Sequence, residues 1–269
     1  MAKITRITTQ KKHKNRYNIY LDYGDGEDYG FSVDEDVLVK YRLQKNMELD
    51  KPTIEALIQT DDVHKSFTLA LNYLSYRMRS EKEIRDYLHK KEVESEHVDE
   101  VVERLKDHQL LDDQEFANSL VRTRVNTSSK GPLLVKKELQ EKGIHVSQAE
   151  EALQYYPYDK QYEKAMKFAE KKAKSEARKS FKQLVQTIQQ NLAQKGFKGE
   201  VIQEVLANLP GEDEDSEWTA AEFQGEKLLR KHARKYSGFE LKQKVKSGLY
   251  RKGFDREVID RFIEEKCDE

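Results

Sequence analysis

The sequence predicts a mainly α protein: tandem three-helix repeats forming an elongated, curved solenoid, with a small β-hairpin region at the N-terminus. Three observations carry that expectation. Of 269 residues, 37% are charged and 36% hydrophobic, a balance that suits a helical array with much surface per residue better than one sphere. Lys91-Glu92-Val93, Lys142-Gly143-Ile144, Lys195-Gly196-Phe197 and Lys252-Gly253-Phe254 recur at spacings of 51, 53 and 57 residues. Apolar residues keep the same offsets from each Lys: Ile84, Val135, Ile188 and Val245 seven before, and Leu88, Leu139, Leu192 and Leu249 three before. That step of four marks the buried face of a helix.

The elements follow in chain order. Ile4 to Thr9, Arg16 to Asp22 and Tyr29 to Val33 are rich in β-branched and aromatic residues, with Tyr23-Gly24-Asp25-Gly26 between two of them, and read as the hairpin region. Val37 to Arg42 and Thr53 to Ile58 read as short helices, the second started by Pro52. Each repeat then opens with a helical stretch: His64 to Met78, Gln114 to Val125, Asp159 to Lys174, and Ala220 to Lys235. A second helix ends at the Lys turn. Ser80-Glu81-Lys82-Glu83 is a capping box for the first of these, and Gly131-Pro132 puts proline where a missing N–H costs least. Glycine after three of the four Lys residues suits a left-handed closing residue, and the apolar residue beyond it folds back on the helix. A third helix is marked by Val98, Ala149, Ile202 and Ile259, and by Val101, Ala152, Val205 and Phe262. The expected division is 1–60 for the β-containing region and 61–111, 112–158, 159–211 and 212–269 for the four repeats.

Charge is balanced in sum, with 49 Lys plus Arg against 50 Asp plus Glu, but sorted along the chain. Residues 21–36 carry seven acids and no base, and 92–115 carry ten acids against Arg104 and Lys106. Residues 160–200 hold eleven basic residues against four acids, and 227–256 hold eleven against Glu240 and Asp255. Between the basic blocks, Leu209-Pro210-Gly211 and the acids Glu212, Asp213, Glu214, Asp215 and Glu217 read as a connector.

Several function classes lack their signatures. No phosphate-loop, dinucleotide-binding or His-Glu-x-x-His motif is present. Tyr23 to Asp28 lacks the ligand spacing of a calcium loop, and Asp112-Asp113 suits a helix start. No cofactor, no metal and no catalytic residue are expected. Cys267 is the single cysteine, no apolar run exceeds three residues, and the N-terminus carries no signal core, so the expected address is cytoplasmic, without a membrane partner.

The candidate binding residues are basic. Lys164, Lys167, Lys171 and Lys174 share one helical face, and four cations there repel one another unless solvated or matched to a polyanion. The fourth repeat offers Arg230, Arg234, Lys242, Lys246 and Arg251 among its cations. Arg77, Arg79, Arg122, Arg124 and Lys130 lie just before helix starts, where free N–H groups add to an anion site. Capping or salt bridging explains these five equally well. The tyrosines, including Tyr155-Tyr156-Pro157-Tyr158, and Trp218 read mostly as packing, with base stacking as the alternative.

Leu74-Ser75-Tyr76-Arg77-Met78-Arg79-Ser80 with Glu83-Ile84 and Leu88, then Leu111-Asp112-Asp113-Gln114-Glu115-Phe116-Ala117, then Lys130-Gly131 and Leu139-Gln140-Glu141-Lys142-Gly143-Ile144, resemble the RecX family in motif order. The resemblance covers about residues 64–269, and the first 60 residues resemble the longer members. It implies a monomeric, non-enzymatic regulator built of three-helix repeats that lies in the groove of the RecA filament on single- or double-stranded DNA. Such a regulator mostly restrains the recombinase, ATPase and co-protease activities of RecA in recombination and SOS DNA repair. Two departures stand out: Glu92 occupies a position where the other repeats carry glycine, and the acidic stretch 92–115 is unlike a DNA-facing surface. A stand-alone single-stranded-DNA-binding repeat protein is the alternative, and a scaffold without nucleic-acid contact is a third reading.

Overall fold

The computed structural model describes residues 1–210 and 213–267. Gly211 and Glu212, part of the connector expected between the third and fourth repeats, lie outside the described residues, as do Asp268 and Glu269. The chain divides into two compact units, the first comprising 1–116 with 142–144, the second 117–141 and the chain from 145 onward.

In the first unit, β1 (Ala2–Thr9), β2 (Arg16–Asp22), β3 (Glu27–Asp34) and the short β4 (Glu48–Leu49) form an antiparallel sheet in the order β3-β2-β1-β4. The expected hairpin region is thus a four-stranded sheet. Its alternating residues Ile4, Ile19, Leu21, Phe31 and Val33 form a core with Val37 of α1 (Glu35–Lys40) and with Ile54 and Leu57 of α2 (Lys51–Leu74). Between β2 and β3, Asp22 accepts the N–H groups of Gly24 (2.7 Å) and Gly26 (3.1 Å), a polar turn.

The sequence predicts two separate helical stretches where α2 is one helix of 24 residues, capped by Asp50 with Pro52 in its first turn. The polar Thr60-Asp61-Asp62, between the two expected stretches, is helical, and Asp61 is buried. Its carboxylate, 1% exposed, accepts Arg16 Nη2 at 2.7 Å and the Asp34 N–H at 2.7 Å, and pairs with Lys65 at 3.0 Å. A buried charge so surrounded is compensated. The second half of α2 places Val63, Phe67 and Ala70 against Ile84 and Leu88 of α3 (Glu81–Lys90) and Val98, Val101, Val102 and Leu105 of α4 (Ser95–Asp107). This is the first three-helix bundle.

In the second unit, α5 (Asp113–Thr127, begun in the first unit) leads to α6 (Pro132–Glu141), α7 (Val146–Ala152) and a 3-10 turn at Leu153–Tyr155. The third repeat is α8 (Tyr158–Ser175), α9 (Phe181–Gln194) and α10 (Gly199–Ala207); the fourth is α11 (Glu214–His232), α12 (Gly238–Arg251) and α13 (Arg256–Cys267). Of the acids read as connector, Asp213 is the N-cap of α11, and Glu214, Asp215 and Glu217 fill its first turn, where carboxylates oppose the helix dipole favourably.

All eight apolar positions before the Lys turns are fully buried, from Ile84 and Leu88 to Val245 and Leu249. The turns themselves share one geometry. Gly143, Gly196 and Gly253 have φ of 85°, 82° and 83°, and Glu92 adopts the same left-handed backbone at 61°. Val93 N–H then reaches back to Leu88 O at 3.1 Å, as Phe197 N–H does to Leu192 O. A side chain at positive φ is strained, so Glu92→Gly is expected to stabilise the first unit by about 0.5–1 kcal/mol, read as a higher urea midpoint with unchanged slope.

A second regularity ties the last three of the four turns to the start of an earlier helix. Ser80 Oγ donates to Lys142 O (2.7 Å) and Ser180 Oγ to Lys252 O (2.5 Å), while Gly131 N–H donates to Lys195 O (2.7 Å) and Leu133 N–H to Gly196 O (3.0 Å). Acids complete two of these joints: Asp113 accepts the Glu81 N–H at 2.7 Å and Glu217 the Phe181 N–H at 2.9 Å. At the remaining joint the first helical residue is Pro132, which has no N–H to satisfy.

Candidate nucleic-acid interface

The chain's basic residues fall into those bound into the fold and those left for a partner. Arg85–Asp99 (2.5 Å), Lys136–Glu150 (2.7 Å) and Lys246–Asp260 are equivalent ion pairs joining second and third helices of their repeats, each six residues before its Lys turn. The third repeat carries Gln189 and Gln203 there. Lys246, expected at an interface, is therefore a bundle brace.

The residues before helix starts are also engaged. Arg77 and Lys142 both grip Glu83, at 2.8 and 2.7 Å. Burial alone raises the Glu83 carboxyl, but the hydrogen bonds from Arg77 and Lys142 outweigh it and hold the pKa at about 2. Arg124 and Lys130 do the same to Glu138, at 2.5 and 2.7 Å; the Arg124 hydrogen bonds dominate and again hold the carboxyl at about 2. Arg79 lies 3.8 Å over the ring of Tyr73, which stacks on Tyr87 at 4.0 Å, and Arg122 lies 4.1 Å over Tyr155. The helix starts they precede are capped by protein groups, so these five residues act on the fold.

A different arrangement surrounds the stripe on α8. Its Lys164, Lys167, Phe168, Lys171, Lys172 and Ser175 face residues 126–129 at the end of α5 and the start of the α5–α6 connection, with Lys195 on one side, around an open hollow of about 560 Å³. Among the described residues, no carboxylate lines it. Three of the five lysines are held in place. Lys164 Nζ donates to Ser128 O (2.8 Å) and Arg124 O (3.2 Å) at the end of α5, and burial lowers its pKa. Lys172 pairs with Glu176 at 2.7 Å, and Lys195 Nζ donates to Ser129 Oγ at 3.1 Å above the Phe168 ring. Lys167 and Lys171 are exposed and have no ion-pair partner within 4 Å among the described residues. Two unneutralised ammonium groups beside three further lysines and the hydroxyls of Thr127, Ser128, Ser129 and Ser175 make a site for an oxyanion chain such as a phosphodiester backbone.

The other expected residues do not converge there. Lys174 is exposed on α8 outside the hollow. Arg230 pairs with Glu226 at 2.9 Å, Arg234 is exposed beyond α11, Lys242 is half-buried on α12, and Arg251 Nε donates to Ser247 O at 3.3 Å. The aromatics read as packing divide. Tyr156 is buried with its hydroxyl donating to Lys130 O (3.0 Å), and Trp218 contacts Phe262 under Arg261, while Tyr155 is exposed. Neither charge runs nor helical periodicity single out Lys172, Lys195 and the hydroxyls of residues 127–129, although Lys195 is conspicuous as a repeat marker.

Fold and site together define a tandem three-helix-repeat protein with a lysine-lined hollow in its second unit and, among the described residues, no helix long and apolar enough to cross a membrane. Family descriptions match nearly the whole chain: "Regulatory protein RecX N-terminal domain" over 2–50, "RecX, first three-helix domain" over 67–105, "RecX, second three-helix domain" over 112–153, and "RecX, third three-helix domain" over both 159–206 and 214–263. The chain belongs to the RecX family of regulatory proteins. It is 52% identical over 267 residues to "Regulatory protein RecX" of Oceanobacillus iheyensis, covering 98% of each chain, and 43% identical over 264 residues to that of Halalkalibacterium halodurans, covering 98% of this chain and 99% of the relative. Two solved structures are similar. One titled "Crystal structure of regulatory protein RecX" has a TM-score of 0.69 at 38% identity, covering 77% of this chain and all of that one. The other, RecX from Lactobacillus salivarius, has a TM-score of 0.54 at 38% identity over 56% of this chain and 97% of that one.

Proposed function

We propose that this protein regulates the RecA recombinase by binding in the groove of the RecA–DNA filament, acting as a cytoplasmic monomer by occupancy and without catalysis of its own. The observation that carries the reading is the α8 hollow: five lysines, no acid, and Lys167 and Lys171 left unpaired, in a member of a family of regulators. Phosphates of the filament DNA neutralise Lys167 and Lys171. Acids of the early part of the chain face basic RecA elements. A chain held across neighbouring protomers blocks the rotation or dissociation each needs, and filling the groove excludes a second duplex or a repressor substrate. Recombinase, ATPase and co-protease activities fall together.

The test is Lys167→Ala with Lys171→Ala in the full chain, reading filament affinity against salt and RecA ATP hydrolysis. Each phosphate left without its lysine lowers the log–log salt slope by about one unit, so the pair is expected to lower it by about two and to weaken inhibition. Unchanged slope and inhibition would remove the hollow from the interface. Binding to bare single strands, to RecA alone and to the assembled filament at one salt concentration separates filament regulation, shown by preference for the filament, from plain DNA binding.

A further inference from the structure

The outer face of α12 carries a pattern that the fold does not require. Phe239 is 78% and Tyr250 73% exposed, and both lie on the same helix among cations. At about 100° per residue, Phe239, Gln243, Ser247 and Tyr250 fall on one stripe, opposite the buried Val245, Gly248 and Leu249. Lys242 and Lys246 flank the stripe on one side, Lys244 and Arg251 on the other. The third repeat shows that the bundle does not need these rings. Its α9 has the same 14-residue length and ends at the same Lys turn, with Lys182 and Ala193 at the positions of Phe239 and Tyr250.

We infer that this face binds single-stranded nucleic acid, Phe239 and Tyr250 stacking on two unpaired bases while the flanking cations follow the phosphates. The spacing and the surroundings favour this occupant over a protein. The rings stand about 16 Å apart along the helix axis, with only Gln243 and Ser247 between them on the stripe. They form no continuous apolar patch of the kind a protein partner covers, and rings with cations beside them offer a single strand both stacking faces and phosphate contacts. Lys244 lies 5.3 Å from the Tyr236 ring, which pre-positions that flank, while Lys246 remains paired with Asp260 as a brace of the bundle. The inference goes beyond filament regulation and concerns the bare strand alone.

The test uses the full chain with oligo(dT) and a matched duplex, without RecA, at one salt concentration. Phe239→Ala with Tyr250→Ala is expected to weaken oligo(dT) binding about thirtyfold or more, since each stack removed takes away roughly 1 kcal/mol at least. Duplex binding and the salt slope are expected to stay put, because paired bases offer no free face and the cations remain. Phe239→Trp with Tyr250→Trp is expected to keep the strand affinity. Unchanged oligo(dT) affinity in the alanine variant overturns the inference, as does an equal loss on strand and duplex. Both side chains are solvent-facing, so urea unfolding is expected to be the same for all three proteins. Because RecA is absent from the assay, failure here leaves the α8 reading standing, and failure of the filament test leaves this one standing.

Discussion

Gly131→Ala is expected to destabilise the second unit by about 3–5 kcal/mol. A Cβ on Gly131 would stand 2.4 Å from the carbonyl carbon of Gly196 and 2.5 Å from the Phe197 nitrogen, both backbone atoms that cannot swing aside as a side-chain tip does. Relief requires the joint to open, which strains the packing and sacrifices the hydrogen bonds from Gly131 N–H to Lys195 O and from Leu133 N–H to Gly196 O. Gly199→Ala is the control, since nothing lies within 4 Å of a Cβ there. It sits in the first turn of α10, where alanine is expected to be neutral or slightly stabilising. Urea unfolding followed by far-ultraviolet circular dichroism reads both. Equal midpoints for the two variants would show that the joint yields freely.

Acid is expected to weaken both units through one residue in each. Glu83 and Glu138 have pKa values of about 2 in the folded chain against an ordinary value near 4.5. A carboxyl with a lowered folded pKa binds its proton more readily when unfolded. Its contribution is therefore complete above about pH 4.5 and is lost as the pH falls through about 2. Each is worth about 2 kcal/mol after allowance for solvent near the pair. Glu83→Gln and Glu138→Gln are each expected to lower stability at neutral pH and to flatten its dependence below pH 4.5, measured as urea midpoints across that range. A variant as acid-sensitive as the parent would place the titration elsewhere.

What can be read from sequence is what repeats locally. Leu88, Leu139, Leu192 and Leu249 identify a buried face because helical periodicity forces every repeat to solve the same packing problem. Pairings set by distant partners are not legible. The continuity of α2 through Asp61 is hidden because the partner that allows that carboxylate to be buried, Arg16, lies 45 residues away on a strand. Charge counting puts Lys246 and Arg124 at an interface although each pairs with an acid 14 residues further along. Comparing the repeats for charge as well as for apolar residues exposes the Arg85, Lys136 and Lys246 braces. Of the α8 stripe, the shared face is legible, but its division into anchored Lys164 and unpaired Lys167 and Lys171 depends on the end of α5. Phe239 and Tyr250 escape notice because aromatics at helical spacing usually signify core, and only exposure separates the exception.

The turn-to-helix joints also impose an order on synthesis. Ser80 must wait 62 residues for Lys142 and Ser180 must wait 72 for Lys252, so each middle helix leaves the ribosome before the turn that will complete its beginning exists. Every repeat but the last is finished by its successor. Ser237, which opens the middle helix of the fourth repeat, makes no side-chain capping bond. A nascent chain stopped after an earlier repeat would therefore carry a middle helix whose start still lacks its joint.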